Sequence, residues 1–210
     1  MNTQSLKLKW MITNQKVVEK LPRSISKPIY VFHHNSEQVI HSKYDENICI
    51  FIDGYIIPRT KIFKAYSHYR SHELIAKLYH EKAEDFIKFV KGCFVLIILK
   101  DEEFLIYSDR NGIRKFFYQK NDHNFIITND LKCIADNKKL VLDFENIAIH
   151  HLMCHNMDGT SFFKEVFYNS PAAKTIFKNN KLFFETYWTH QELFNLSGQK
   201  ITYQEIAKNF

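Results

Sequence analysis

Two pairs of side chains stand four residues apart, His68 with His72 and His150 with Cys154. On a helix that spacing would set each pair on one face, as a metal ion requires. Neither pair has a convincing third ligand, and 11 histidines make such spacings common by chance, so no metal site is expected. Asp45-Glu46 and Glu102-Glu103 have the composition of acid–base pairs, but both fall in turn-like stretches where solvated carboxylates are expected. The four cysteines, Cys49, Cys93, Cys133 and Cys154, lie inside apolar or periodic segments of a chain long enough to fold without disulfide staples. They read as free, buried thiols. The aromatic side chains Phe116, Phe117, Tyr118, Phe162, Phe163, Phe183 and Phe184 could line a groove; bulky residues in strands are more often core, and core is the expectation.

The elements that would position these groups belong to one compact domain, since 210 residues at 45% hydrophobic content bury one sizeable core and not two comfortable ones. The longest apolar run, Cys93 to Leu99, is far too short to span a membrane, and the first residues have no apolar signal core. A cytoplasmic protein with no membrane partner is expected. The net charge of +6 is spread over lysines interleaved with Asp and Glu, which argues against a nucleic-acid partner.

Alternation at Leu6, Leu8, Trp10 and Ile12 predicts an opening strand, and Ile29 to Phe32 and Ile48 to Ile52 predict two more, the latter closed by Asp53-Gly54. From Ser71 the period changes. Leu74, Ile75, Leu78 and Tyr79 share a helical face behind Ser71 as N-cap, and Phe86, Phe89 and Val90 keep helical spacing until Gly92 acts as a stop. Phe94 to Leu99, apolar on both faces, predicts a central strand. Phe104 to Tyr107, Lys115 to Tyr118 and Phe125 to Thr128 extend it as an antiparallel meander. Leu131 to Ala135 and Asp143 to Met153 read as helices, Thr175 to Phe177 and Leu182 to Trp188 as a hairpin, and Thr202 to Glu205 as the start of a further helix. Together they predict an α+β layered domain.

The order of several short motifs resembles the N-terminal glutamine-amidotransferase domain of the asparagine synthetase family. Phe51-Ile52-Asp53-Gly54-Tyr55-Ile56 is similar to the family segment in which Asn-Gly precedes Glu-Ile-Tyr, and Lys91-Gly92-Cys93-Phe94-Val95 to its Asn-Gly-Met-Phe-Ala strand. Glu73 to Tyr79 and Glu84-Asp85-Phe86 resemble its helix and following turn. Ser108-Asp109-Arg110-Asn111-Gly112-Ile113-Arg114-Lys115-Phe116-Phe117-Tyr118 resembles Arg-Asp-Arg-Leu-Gly-Ile-Lys-Pro-Leu-Tyr-Tyr, the most specific stretch. Asn129-Asp130-Leu131-Lys132, Leu142-Asp143-Phe144-Glu145, Ser161 to Val166 and Tyr187-Trp188 follow in register, so that the likeness runs from about Ile48 to Trp188. It implies the four-layer αββα N-terminal-nucleophile hydrolase fold with two stacked antiparallel sheets.

In that family an N-terminal cysteine opens glutamine, its thiolate attacking while its own α-amine handles the proton. This chain begins Met1-Asn2-Thr3, with Asn2 disfavouring removal of Met1 and no cysteine before Cys49. The resemblance places Asp53 where the family has its oxyanion-hole Asn, keeps Gly54, and puts Ser71 where an aspartate holds the substrate's ammonium. The arginine that grips the carboxylate has no clear counterpart near Phe32-His33-His34-Asn35. No catalytic residue is therefore expected. Asp109, Arg110 and Gly112 are expected to be structural, as parts of a turn.

The expected organisation is a degenerate amidotransferase-like domain over 1–190, with 191–210 leading toward a missing or separate synthetase domain. No cofactor is expected in this chain, because the Ser-Gly-Gly-x-Asp-Ser pyrophosphate loop is not found and ATP and Mg would belong to the partner. The expected partner is an asparagine-synthetase-like ATP-binding domain, in cis or in trans, with a peptide as a further candidate. Relatives that have lost the cysteine include β-lactam synthetases and lasso-peptide macrolactam cyclases, and the chain looks more like those than like an ammonia-producing enzyme. Two other readings stay open: a free-standing interaction or peptide-binding protein, and an active amidohydrolase using an unexpected nucleophile such as Thr3.

Overall fold

Phe94 to Leu99 cannot face water on either side, and it forms the middle of an 11-residue strand, Val90–Lys100, near the centre of its sheet. The computed structural model describes residues 10–14, 23–25, 30–33, 39–42, 44–45, 47–100, 103–121, 124–156, 159–179 and 181–192; for 23–25, 30–33, 39–41 and 61 only the backbone is described. The chain divides into two compact units, 1–38 with 115–170 and 39–114 with 171–210. Each carries one six-stranded sheet.

The first unit holds β1 (Trp10–Thr13), β2 (Arg23–Ile25), β3 (Tyr30–His33), β8 (Phe117–Lys120), β9 (Phe125–Thr128) and β10 (Phe167–Tyr168), in the order β10-β8-β9-β1-β3-β2. Every pairing in this sheet is antiparallel. Its helices are α3 (Leu131–Ala135) and α4 (Phe144–Met153). Both start where a short acidic side chain can satisfy an orphan N–H: Asp130 accepts from Lys132 N at 3.1 Å and Asp143 from Asn146 N at 3.2 Å. Met11, Ile126, Ile134 and Val166 form a buried cluster beside the sheet. Helix α4 buries none of its residues, and Phe144 and Leu152 are 74% and 80% exposed.

The second unit holds β4 (Val39–His41), β5 (Ile48–Pro58), β6 (Val90–Lys100), β7 (Glu103–Ser108), β11 (Ala173–Lys178) and β12 (Lys181–Thr186), in the order β12-β11-β7-β6-β5-β4, again all antiparallel. Two helices, α1 (Phe63–Tyr66) and α2 (Ser71–Lys82), lie between β5 and β6 in sequence. On α2, Leu74, Ile75 and Leu78 are buried with Ile50, Ile52 and Ile56 of β5 and Leu96 and Ile98 of β6. At about 1.5–3 kcal/mol for each such side chain, this packing is what holds the helix on the sheet.

Several expectations are corrected. Asp53-Gly54 does not end β5, which pairs with β6 along its whole 11-residue length. Gly54 (φ +117°) and Gly92 (φ +152°) lie within this ladder, where a Cβ on Gly54 would sit 2.1 Å from Cys93 O and one on Gly92 2.2 Å from Tyr55 O. Glycine here permits close approach of two backbones and does not mark a stop. Gly92 for the same reason terminates no helix: α2 ends at Lys82, a 3₁₀ segment covers Ala83–Phe89, and β6 has begun at Val90. Phe86, fully buried edge-on to Tyr107 at 5.3 Å, draws that segment into the core. Ser71 is the first helical residue, behind Arg70 as N-cap. The meander is broken after β7, because β8 and β9 belong to the other sheet and β11 takes the place beside β7.

The predicted strand over Lys115 to Tyr118 lies two residues later, and the second strand of the hairpin stops at Thr186, leaving Tyr187 and Trp188 beyond it. Phe183 and Phe184 are exposed, unlike the other aromatic residues read as core. The thiols are free, but only Cys49 is buried, and Cys154 is exposed. Leu6, Leu8, the terminal segment Met1 to Thr3 and the helix predicted from Thr202 lie outside the described residues, as does the proposed boundary region beyond 192. No helix among the described residues is long and apolar enough to cross a membrane.

Candidate functional site

Strand β5 presents its side chains alternately to two faces. Ile50, Ile52 and Ile56 pack with α2, so Phe51, Asp53, Tyr55 and Ile57 share the opposite face. Asp53 is 6% exposed, and its Oδ1 lies 3.4 Å from Nη1 of Arg114. An ion pair thus occupies the position where the sequence likeness called for an amide donor. Ser71 turns its hydroxyl to the β5 backbone, donating to Ile56 O at 2.8 Å and receiving Ile56 N at 3.3 Å. That reciprocal pair ties the start of α2 to the strand. Asp53 and Ser71 therefore meet different parts of β5 and do not converge on a common cavity.

Asp109 is the centre of the turn after β7. Its carboxylate, 1% exposed, accepts from Asn111 N at 3.0 Å, Ile113 N and Arg114 N at 3.1 Å, and Phe94 N at 3.3 Å. Its carbonyl accepts from Gly112 N and Ala172 N, both at 3.0 Å. A carboxylate with this many backbone donors organises the turn and has little left to offer a substrate. Gly112 holds φ +60° within it.

Arg110, next in sequence, leaves the turn to lie over the Trp188 ring at 4.7 Å. It lines a cavity of about 310 Å³ together with Arg59, Lys91, Ile113, Tyr187 and Trp188, all in the second unit. Arg59 is fixed by its Nε donating to Val90 O at 3.1 Å, and Tyr187 by its hydroxyl donating to Ser108 O at 2.8 Å. Burial pulls the Arg110 guanidinium down to about 10, and the charge of Arg59 acts in the same direction. Neither Asp53, Gly54 nor Ser71 lines this cavity. The sequence reading missed Arg59 and Lys91, because only the β5–β6 register, which sets Ile57 opposite Lys91, brings them beside the Asp109 turn.

The other candidates stay apart. His68 packs on Tyr69 at 4.2 Å ahead of α2, and Cys154 lies past the end of α4, in the left-handed region at φ +58°. Among the described residues no group of three or more His, Cys, Asp or Glu is placed to hold a metal ion. Asp45 accepts from Asn47 N at 3.0 Å and lies 3.9 Å from Lys100, and Glu103 lies 3.1 Å from Lys178. Glu46, Glu102, Thr3, His34 and Asn35 lie outside the described residues.

Residues 29–188 match the family model described as a glutamine amidotransferase domain. A curated relative, asparagine synthetase [glutamine-hydrolyzing] 3 of Bacillus subtilis (strain 168), is 23% identical over 121 residues, covering 55% of this chain and 20% of its own length. Among solved structures, the B. subtilis glutamine phosphoribosylpyrophosphate amidotransferase complexed with ADP and GMP is similar at a TM-score of 0.46 and 9% identity, over 88% of this chain and 44% of that one. A structure of an allosteric regulatory enzyme of purine biosynthesis has a TM-score of 0.48 and 10% identity, with the same coverage of 88% and 44%. The chain thus spans about a fifth of the curated relative and less than half of each of these solved chains. With its match over most of its length, the chain belongs to the glutamine amidotransferase domain family.

Proposed function

We propose that this domain does not hydrolyse glutamine and instead serves as a scaffold or substrate-positioning module for an ATP-dependent, amide-forming ligase related to asparagine synthetase. One observation carries the reading: the position that should donate to a developing oxyanion holds Asp53, a buried carboxylate paired with Arg114 at 3.4 Å. A carboxylate accepts hydrogen bonds and repels a forming negative charge, so it works against the transition state that the site would have to stabilise. Ser71 supports the same conclusion, because its hydroxyl is bonded to Ile56 on the strand and offers no carboxylate to a substrate ammonium. Groups of this kind act as a unit, and losing more than one removes catalysis outright.

A scaffold role is supported by the exposed apolar side chains of α4, Phe144 and Leu152, which suit a docking face. The partner would be the ATP-binding synthetase domain, in cis or in trans, and ATP and Mg would bind there. In the cyclase-like version of this reading the attacking amine belongs to the ligase substrate, so no ammonia need be made. Incubating the pure chain with glutamine should release no glutamate above a protein-free control. Clear turnover would overturn the proposal, and turnover lost on Thr3→Ala would assign the nucleophile. Co-purification with an asparagine-synthetase-like ATP-binding domain, weakened by Phe144→Ser with Leu152→Ser, tests the scaffold role.

A free-standing peptide-binding role is favoured by a separate observation, Phe183 and Phe184 exposed on β12 at the edge of its sheet. An edge strand presents unpaired backbone groups to which an extended peptide can add. Peptide binding abolished by Phe183→Ser, with no synthetase association, would favour this second reading.

A further inference from the structure

The cavity formed by β5, β6 and the Asp109 turn has the chemistry of an anion site. Three cationic side chains, Arg59, Lys91 and Arg110, line it, and no carboxylate is among its lining residues. All three are half-buried, so their charges are less screened than on an open surface. Arg110 Nε is buried and has no hydrogen-bond partner among the described residues. A buried donor without an acceptor is costly, and a guanidinium offers a fork of donors that matches a carboxylate or a phosphate.

The cations are also held ready. The turn that carries Arg110 is fixed by the four backbone donors to Asp109, and the Arg110 guanidinium lies over the Trp188 ring at 4.7 Å. Arg59 is anchored through Val90 O. Burial lowers the proton affinity of Arg110, and the charge of Arg59 beside it acts in the same direction. The carboxylate whose field reaches both arginines is Glu192, and its Oε1 already accepts from Thr189 N at 3.3 Å. The cavity therefore keeps a net positive lining. Ile57, Ile113 and Tyr55 line the same space and add apolar surface to it.

We infer that this cavity binds the oxyanion group, phosphate or carboxylate, of a small molecule whose less polar part lies against Ile57, Ile113 and Tyr55. The site is separate from the Asp53 and Ser71 positions and does not depend on whether glutamine is hydrolysed. A chain found to turn over glutamine would overturn the proposed function and leave this inference standing.

The test is calorimetric titration of the full chain with inorganic phosphate and, separately, with succinate, each against sodium chloride of equal ionic strength. Saturable binding near one equivalent is expected for at least one of the two; tighter binding of phosphate assigns a phosphate ester, tighter binding of succinate a carboxylate. Arg110→Gln and, independently, Lys91→Gln should each weaken it about tenfold or more, the loss expected for a charged hydrogen bond. Lys91→Gln decides the matter if Arg110→Gln does not fold. No saturable binding above chloride, or binding unchanged in the variants that fold, would overturn the inference.

Discussion

The Asp53 carboxylate lies 3.4 Å from the Arg114 guanidinium, and the two partners differ in burial, with side-chain exposures of 9% and 45%. Because one end of the pair is nearly dry and the other half in water, removing either partner should not cost the same. Arg114→Met leaves a buried carboxylate without this cation and is expected to cost about 1–3 kcal/mol. Asp53→Asn keeps the volume, frees a half-exposed guanidinium, and should cost no more than about 1 kcal/mol. Urea unfolding midpoints of the two variants check the asymmetry. Asp53→Asn alone should still release no glutamate from glutamine.

Ser71 bonds both the N–H and the C=O of Ile56. Ser71→Ala should lower stability by about 1 kcal/mol. Ser71→Asp brings in the side chain the family likeness expects, yet a carboxylate cannot donate to Ile56 O, so it should cost more than the alanine. Neither variant should bind glutamine by calorimetry.

Gly54 and Gly92 face each other's strand across the β5–β6 ladder, with no room for a Cβ on either. Gly54→Ala should destabilise by about 3 kcal/mol or more, chiefly through backbone overlap at Cys93. Soluble yield and thermal midpoint are the measurements. A variant with an unchanged midpoint would show that the two strands approach less closely than the ladder implies.

Burial pushes the hydroxyls of Tyr107 and Tyr187 well above the usual tyrosine range. For each, the folded value is raised above the unfolded value of about 10. Their contribution is therefore complete below about pH 10 and lost as pH climbs toward the folded value. Stability by urea unfolding should show almost no pH dependence from these groups near neutrality and should fall above about pH 10. Tyr187→Phe should make that alkaline fall shallower, while costing about 1 kcal/mol at pH 7 for the lost bond to Ser108 O.

Cys154 is exposed at the C-terminal end of α4 in the left-handed region, whereas Cys49 is buried with its thiol pushed up by desolvation. A thiol reagent should label Cys154 first and Cys49 only on unfolding, which peptide mapping by mass spectrometry can follow. Cys154→Gly, which suits φ +58°, should raise stability by up to about 1 kcal/mol.

Much of the fold was legible because burial and period are local properties of a sequence. Phe125–Thr128 and Leu131–Ala135 stand where the pattern placed them, and α4 begins one residue after Asp143, its cap. The doubly apolar run at Phe94 to Leu99 announced a strand near the middle of a sheet. The glutamine amidotransferase family was equally accessible, since its motifs lie in order along the chain and need no third dimension to be compared.

What only the tertiary structure decided concerns groups whose meaning lies in a partner far along the chain. Gly54 and Gly92 read as stops until the β5–β6 ladder opposed each to the other strand. Ser71 read as a cap until Ile56 claimed both sides of its hydroxyl, and Asp53 read only as a replaced oxyanion-hole position, while the fold sets Arg114, 61 positions later, beside it. The cationic cavity was invisible for the same reason: Arg59, Lys91 and Arg110 are separated by 32 and 19 positions and meet only through strand register and the Asp109 turn. Side-chain type and period follow from neighbours in sequence, whereas pairing, register and the electrostatic surroundings of a charge follow from which strands lie side by side, and that is set by the packing of the whole unit.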